Sequence, residues 1–242
     1  MNVVFVFAHQ DDEIAFVSRI KVEVARGNRV TCVCLTDGAA AVSATIRDAE
    51  SRRVLARLGV NDFRVAPAEE RIADGALPEQ MDKALRFLEG TIGEVDEVVT
   101  LAWEGGHQDH DAAHLVAAVF AERRGVPCLE MPLYNGFETS WPMFRVNEPV
   151  GNGWLVRHLS RREYFGNVLL ARFYPSQRRT WIGLVPLLLI GEPRELIRGA
   201  DLRRACAPPH PLPLLYERRF RYPYDRFAGH AAEFLRQRSV PG

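Results

Sequence analysis

Between Met1 and Pro132 short apolar runs alternate with segments of helical periodicity, and this alternation constrains the fold more than any other feature of the chain. Met1–Ala8 reads Met-Asn-Val-Val-Phe-Val-Phe-Ala, a β-branched and aromatic run of the kind found in a parallel strand covered on both faces. Asp12–Arg26 then carries apolar residues at Ile14, Val17, Ile20 and Val24, which is helical spacing, and Gly27-Asn28 supplies a stop. The order repeats: Arg29–Leu35 as strand, Ser43–Leu58 as helix, Asp62–Val65 as strand, Pro78–Ile92 as helix, Glu97–Ala102 as strand, Asp111–Arg124 as helix, Pro127–Pro132 as strand. Such alternation predicts βαβ units and an α/β, Rossmann-like fold: a mostly parallel, doubly wound sheet with helices on both faces.

Beyond Tyr134 the pattern dissolves into a stretch rich in Gly, Pro and aromatic residues through Trp154. A helix is expected over Ser160–Phe173, then proline-rich loops including Ala207–Pro213, and a closing helix near Phe227–Arg238. The expectation is one domain over 1–242, with a Rossmann-like core at 1–133 and an irregular C-terminal elaboration at 134–242. With 242 residues, 47% hydrophobic and 26% charged, the chain can bury a core of that size, and collagen-like, disordered, coiled-coil and disulfide-scaffold classes are excluded.

The formal net charge is zero, which by itself argues against nucleic acid or an anionic membrane as partner. The zero hides a split: residues 1–150 hold 15 Lys and Arg against 24 Asp and Glu, and residues 151–242 hold 16 against 7. Lys21 and Lys83 are the only lysines, and the arginine fork suits phosphate and carboxylate, although a codon bias gives the same excess. Cys32, Cys34, Cys128 and Cys206 lack paired C-x-x-C spacing, and the N-terminus lacks a basic flank with a long apolar signal region, so a reduced, cytoplasmic protein is expected. The longest apolar run, Trp181–Ile190, is about half the roughly 20 residues of a spanning helix, so no transmembrane segment is expected. Burial against the sheet is its expected fate; contact with lipid or a lipid-linked sugar, helped by Arg178 and Arg179, is the competing reading.

Open parallel sheets bind ligands beyond the carboxyl ends of their strands. Ala8-His9-Gln10-Asp11-Asp12-Glu13 follows the first strand, and Glu104-Gly105-Gly106-His107-Gln108-Asp109-His110-Asp111 follows the Glu97–Ala102 strand. Four of seven histidines, at 9, 107, 110 and 114, fall in or near these two turns. Imidazole with carboxylate is the ligand set of a catalytic zinc, three protein ligands leaving one position for water. Taken singly, each piece has a structural explanation: acids in a first helical turn, a hydrogen-bonded histidine at a strand end, an Asp109 or Asp111 helix cap. Two His/Asp clusters at two strand ends favour a site.

Ala-His-Gln-Asp-Asp-Glu at 8–13 and His-Gln-Asp-His at 107–110 resemble the A-H-P-D-D-E and H-P-D-H motifs of the PIG-L/LmbE-like de-N-acetylases. Leu35-Thr36-Asp37-Gly38, Arg47 with Glu50, Leu58-Gly59-Val60 and Tyr174-Pro175-Ser176-Gln177 add weaker matches, so the resemblance spans about residues 3–177. Gln10 and Gln108 stand where the family usually has proline, which bears on loop rigidity. The resemblance implies that His9, Asp12 and His110 bind a divalent metal, most simply Zn2+. It makes Asp11 the general base, His107 the group that stabilises or protonates the tetrahedral intermediate, and Asp109 the residue that orients a histidine. It places Arg47 against substrate and implies removal of an N-acetyl group from an amino sugar or its conjugate.

A metallophosphoesterase would also use His/Asp clusters, but with ligands for two metals about 3.5–4 Å apart. A non-catalytic sugar-binding protein on the same fold is the third reading. Glu13 is either a partner of the ligands or a first-turn helix acid; His114, four residues after His110, is placed outside the ligand set. His158, His210 and His230 are read as structural or surface residues. Tyr134, Phe137, Trp141, Phe144 and Trp154 line either a sugar cleft or the core of the C-terminal part. A basic rim beside a cationic metal favours an anionic substrate.

Overall fold

In the computed structural model, which describes residues 1–39, 42–140 and 142–237, the N-terminal apolar run forms β1 (Asn2–Phe7), buried from Val3 onward. There follow α1 (Glu13–Ala25), β2 (Arg29–Cys34), α2 (Ala44–Arg57), β3 (Asp62–Arg64), α3 (Met81–Thr91), β4 (Glu97–Leu101), α4 (Gln108–Arg124) and β5 (Cys128–Met131). Strand order β3-β2-β1-β4-β5 is parallel throughout, with Phe7 opposite Cys34 and Val6 opposite Thr100. From β1 the chain winds outward to β2 and β3, and from β4 it winds the other way to β5. Right-handed crossovers in opposite directions put helices on opposite faces, and the reversal between β1 and β4 opens a crevice at their carboxyl ends. The α/β, Rossmann-like reading of the sequence is the fold observed.

The packing follows from side-chain size. Phe7 and Phe16 meet edge to face at 5.0 Å between ring centroids, joining α1 to the middle of the sheet. α4 is buried from Gln108 through Ala121 because Ala112, Ala113, Ala117 and Ala118 let the sheet, α3 and α8 (Tyr224–Gln237) close around it. Cys32 and Cys34 are buried free thiols on β2.

The remaining chain forms β6 (Tyr134–Asn135) and β7 (Arg145–Val146), a short antiparallel ribbon, then β8 (Leu155–His158), α5 (Arg161–Val168), α6 (Arg178–Ile190), β9 (Arg194–Gly199) and α7 (Leu215–Arg219), and closes with α8. β9 pairs antiparallel with β5, and β8 with β9, giving a seven-stranded sheet, β3-β2-β1-β4-β5-β9-β8. The C-terminal part is therefore more regular than its sequence suggests. The helix expected over 160–173 is α5 followed by a 3-10 turn, Leu169–Phe173, and part of the segment read as loop is α6. α4 begins three residues before the expected Asp111, so His107-Gln108-Asp109-His110 is a helix start rather than a loop. Trp141 and Arg238 lie outside the described residues.

Candidate metal centre

The turn after β1 brings the first motif to the crevice. Asp12 Oδ2 accepts the His9 backbone N–H at 2.8 Å, closing the turn, and Asp12 then occupies the cap position of α1. Asp11 sits at φ +100°, a left-handed conformation that costs a side-chain-bearing residue about 1–3 kcal/mol. Two contacts hold it there: its N–H donates to Glu13 Oε2 at 2.8 Å, and its Oδ1 meets Arg47 Nη2 at 2.8 Å. Glu13 is buried and accepts the Tyr174 hydroxyl, which also contacts Ser51. The late Tyr-Pro-Ser-Gln motif is thus tied to the first motif, and Ser176 N donates to Glu50 at 2.9 Å.

The turn after β4 supplies the second motif. Asp111 Oδ1 accepts the Glu104 and Gly105 N–H groups at 3.2 and 3.1 Å, fixing the turn. Gly106 is required, because a Cβ there would stand 1.9 Å from the Tyr134 carbonyl oxygen. The cap of α4 is neither Asp109 nor Asp111 but His107, whose Nδ1 accepts the Asp109 N–H at 3.1 Å. Asp109 is freed to accept the Gly75 and Leu77 N–H groups at 2.6 and 3.1 Å and to meet His9 Nε2 at 3.1 Å.

The two turns converge. Ligand atoms of His9, Asp12 and His110 all lie within 4.8 Å of one another, as do those of His9, His107 and Asp109, and every member is buried. His110 Nε2 is 3.2 Å from Asp12 Oδ1, and His110 Nδ1 is a buried atom without a hydrogen-bond partner. Burial works against a charge on His9, yet Asp74, Asp109 and Asp12 together hold its pKa well above the usual histidine value. Burial likewise works to raise Asp12, but His110 and His9 hold it down to about 2. The cluster attracts positive charge, so a divalent cation would take the place of protons there; two imidazoles and a carboxylate fit zinc. His107 behaves oppositely. Burial, the neighbouring imidazoles of His9 and His110 and the Arg219 guanidinium push it well below the usual value. Asp11 is pushed up to about 7 by burial, with Arg47 opposing the rise.

Around this cluster opens a pocket of about 420 Å3, whose walls include Asp11, Arg47, Gln108, Tyr134, Trp181 and Arg219. Arg47, expected against substrate, is only 2% exposed, and its donors go to Asp11, the Gln10 carbonyl and the Gly38 carbonyl. Gln10, in place of proline, donates to Asp48 Oδ1 at 2.8 Å, and Arg71 meets the other Asp48 oxygen at 2.6 Å, so a side-chain link holds this loop. His114 lies apart, between the Leu101 carbonyl and Glu130 at 3.0 and 3.1 Å. Of the aromatic stretch Tyr134 reaches the pocket, 5.2 Å from the His110 ring; Trp154 instead stacks under Arg198.

Three neighbours escaped the sequence reading. Asp74 Oδ1 approaches His9 Nε2 to 3.4 Å from the turn at Asp74-Gly75, ten residues beyond β3. Phe220 packs edge-on against His107 at 4.3 Å, and Arg219 lies over the Phe220 ring at 5.2 Å. Nothing in the sequence around α7 marks either.

Residues 4–121 match the family model described as PIG-L, GlcNAc-PI de-N-acetylase. Among solved structures, a deacetylase of the teicoplanin biosynthesis pathway is 17% identical, with 83% of this chain and 99% of that one covered and a TM-score of 0.60. The zinc inhibited form of teicoplanin deacetylase is 16% identical, covering 83% and 99%, with a TM-score of 0.58. N,N'-diacetylchitobiose deacetylase from Pyrococcus horikoshii is 19% identical, covering 86% and 84%, with a TM-score of 0.56. At these identities the likeness to the solved structures is one of fold. No curated protein matches the chain. The matched segment, residues 4–121, contains both histidine motifs, so the likeness to the PIG-L de-N-acetylase family rests on the part of the chain that builds the candidate metal centre.

Proposed function

We propose that this protein is a zinc-dependent de-N-acetylase that hydrolyses the N-acetyl amide of an amino sugar or its conjugate, releasing acetate and the amine. The observation that carries this reading is Asp11, a carboxylate outside the His9–Asp12–His110 set but lining the same pocket. His9, Asp12 and His110 would hold the metal. Bound zinc supplies a Lewis acid that polarises the amide carbonyl and lowers the pKa of water to roughly 7. The Asp11 carboxylate takes the proton of the attacking water and delivers it to the departing amine. A carboxyl that titrates near neutrality suits both directions of that transfer.

His107 has Nδ1 occupied by the Asp109 N–H, so a neutral ring keeps its proton on Nε2. It stabilises the developing oxyanion as an uncharged hydrogen-bond donor, which narrows the expectation that it stabilises or protonates the intermediate to the first of these. Asp109 accepts the Nε2 proton of His9, fixing the tautomer that leaves Nδ1 basic for the metal. Arg47 positions Asp11. Because the two His/Asp triads share His9, they offer one complete ligand set at a time, which suits a single metal better than the paired metals of a phosphoesterase.

The test is acetate release from a panel of free, nucleotide-linked, inositol-linked and lipid-linked N-acetylamino sugars by the zinc-loaded protein. Release from at least one member is expected; none from any, with one zinc bound, overturns the reading. His110→Ala should lose the zinc, and retention of a full equivalent would refute the ligand set.

An anionic conjugate is the favoured substrate, on the strength of Arg219. This guanidinium lines the pocket and contacts the rings of Phe144 and Phe220, and it pairs with no carboxylate among the described residues. Arg219→Gln should raise KM for a phosphorylated or carboxylated substrate by about tenfold, the lower end for a hydrogen bond to charge, with kcat nearly unchanged. An unaltered KM, or an equal rise for a neutral substrate, would remove the assignment.

A further inference from the structure

We infer that the outward face of α6 is a docking surface for an anionic lipid bilayer. The run Trp181–Ile190 was expected to lie against the sheet, but only Trp181 and Leu184 are buried along this helix. Arg178, Arg179, Ile182, Pro186, Leu189 and Ile190 recur at helical spacing on the opposite side and are exposed, Ile182 at 64% and Ile190 at 82%. Leu169 and Arg172, from the turn before the helix, extend the same surface. Between that turn and α6 runs a groove of about 560 Å3, lined mostly by apolar side chains.

Charge identifies the occupant. From Tyr164 to Gly191 the sequence contains no Asp or Glu, and its cations are Arg172, Arg178 and Arg179. None of these three arginines pairs with a carboxylate among the described residues. An apolar helical face edged by arginine, on a helix too short to cross a membrane, is the composition of an interfacial helix that lies in the headgroup plane. A second copy of this chain is a poor occupant: two-fold pairing would set the arginines of one face against those of the other, with no acid in the segment to answer them. Trp181 joins this surface to the chemistry, since it walls both the groove and the metal pocket.

Co-sedimentation of the full-length protein with phosphatidylcholine vesicles, with and without phosphatidylglycerol, tests this directly. Binding is expected only to the vesicles containing phosphatidylglycerol, weakening as salt is added. Arg178→Gln and Arg179→Gln should each lower the partition constant about fivefold, the worth of one surface charge at an anionic membrane. Ile182→Glu should lower it more than tenfold without moving Tm, because the side chain is exposed. Absence of binding, or equal binding by the wild type and these variants, overturns the proposal. So would a concentration-dependent dimer abolished by Ile182→Glu, or binding of monomeric dodecyl phosphate without binding to vesicles.

Discussion

Asp11→Asn should retain one zinc per chain while kcat falls by about 10²–10⁴, the range of a lost general base. The amide keeps the size of the carboxyl and can still meet Arg47, so the turn after β1 survives, but it cannot accept the proton of water. His9, Asp12 and His110 are untouched by the change, and metal content measured beside turnover separates the two roles. Equal loss of zinc from Asp11→Asn and His110→Ala would contradict the division between base and ligands. Activity within a fewfold of wild type would remove Asp11 from the mechanism.

Arg47→Met should destabilise the fold by about 3–5 kcal/mol, since it strands the Asp11 carboxylate, whose side chain is only 14% exposed. For a chain of this length that lowers Tm by on the order of 10 °C. The change removes the Asp11 ion pair and leaves the carbonyls of Gly38 and Gln10 without their donors. Adding Asp11→Asn to Arg47→Met should recover part of the lost stability, because the unpaired charge is gone even though both side chains are altered. A guanidinium kept for substrate would behave differently: Arg47→Met would raise KM and leave Tm within a degree or two. That result would return Arg47 to the substrate-contacting role that the sequence suggested.

The parallel half of the sheet was legible because its strands are buried on both faces and because α1 and α3 each show one buried stripe. β1 and β2 are continuous apolar runs, and α1 shows its buried stripe at Ile14, Val17 and Ile20. β8 and β9 were not legible, since Leu-Val-Arg-His and Arg-Glu-Leu-Ile-Arg-Gly carry charge where strand patterns expect apolar residues. Their charges are accommodated by tertiary pairing: Arg198 with Glu130, and Arg157 with Glu195 at 3.0 Å. α6 was hidden by Pro186 within the helix and by an outward face as apolar as its inward one. Convergence of His9, Asp11, Asp12, His107, Asp109 and His110 could be read in advance, because both motifs follow strands that flank the reversal in the sheet. Asp74, Arg219 and Phe220 could not, since each reaches the pocket as a single residue on a turn or short helix placed by packing.

The antiparallel addition of β9 and β8 also decides which margins of the sheet face the outside. β5 is hydrogen-bonded on both sides, so the sheet ends at β3 on one margin and β8 on the other. β3 has three residues, two of them charged, and β8 has four and ends in Arg157-His158. Short margins that carry charge are poor templates for a foreign strand, so growth of the sheet into a neighbouring molecule is disfavoured, more at β3 than at β8, where Leu155 and Val156 are exposed. The long apolar strands at the centre of this sheet are thereby kept away from cross-chain β-pairing.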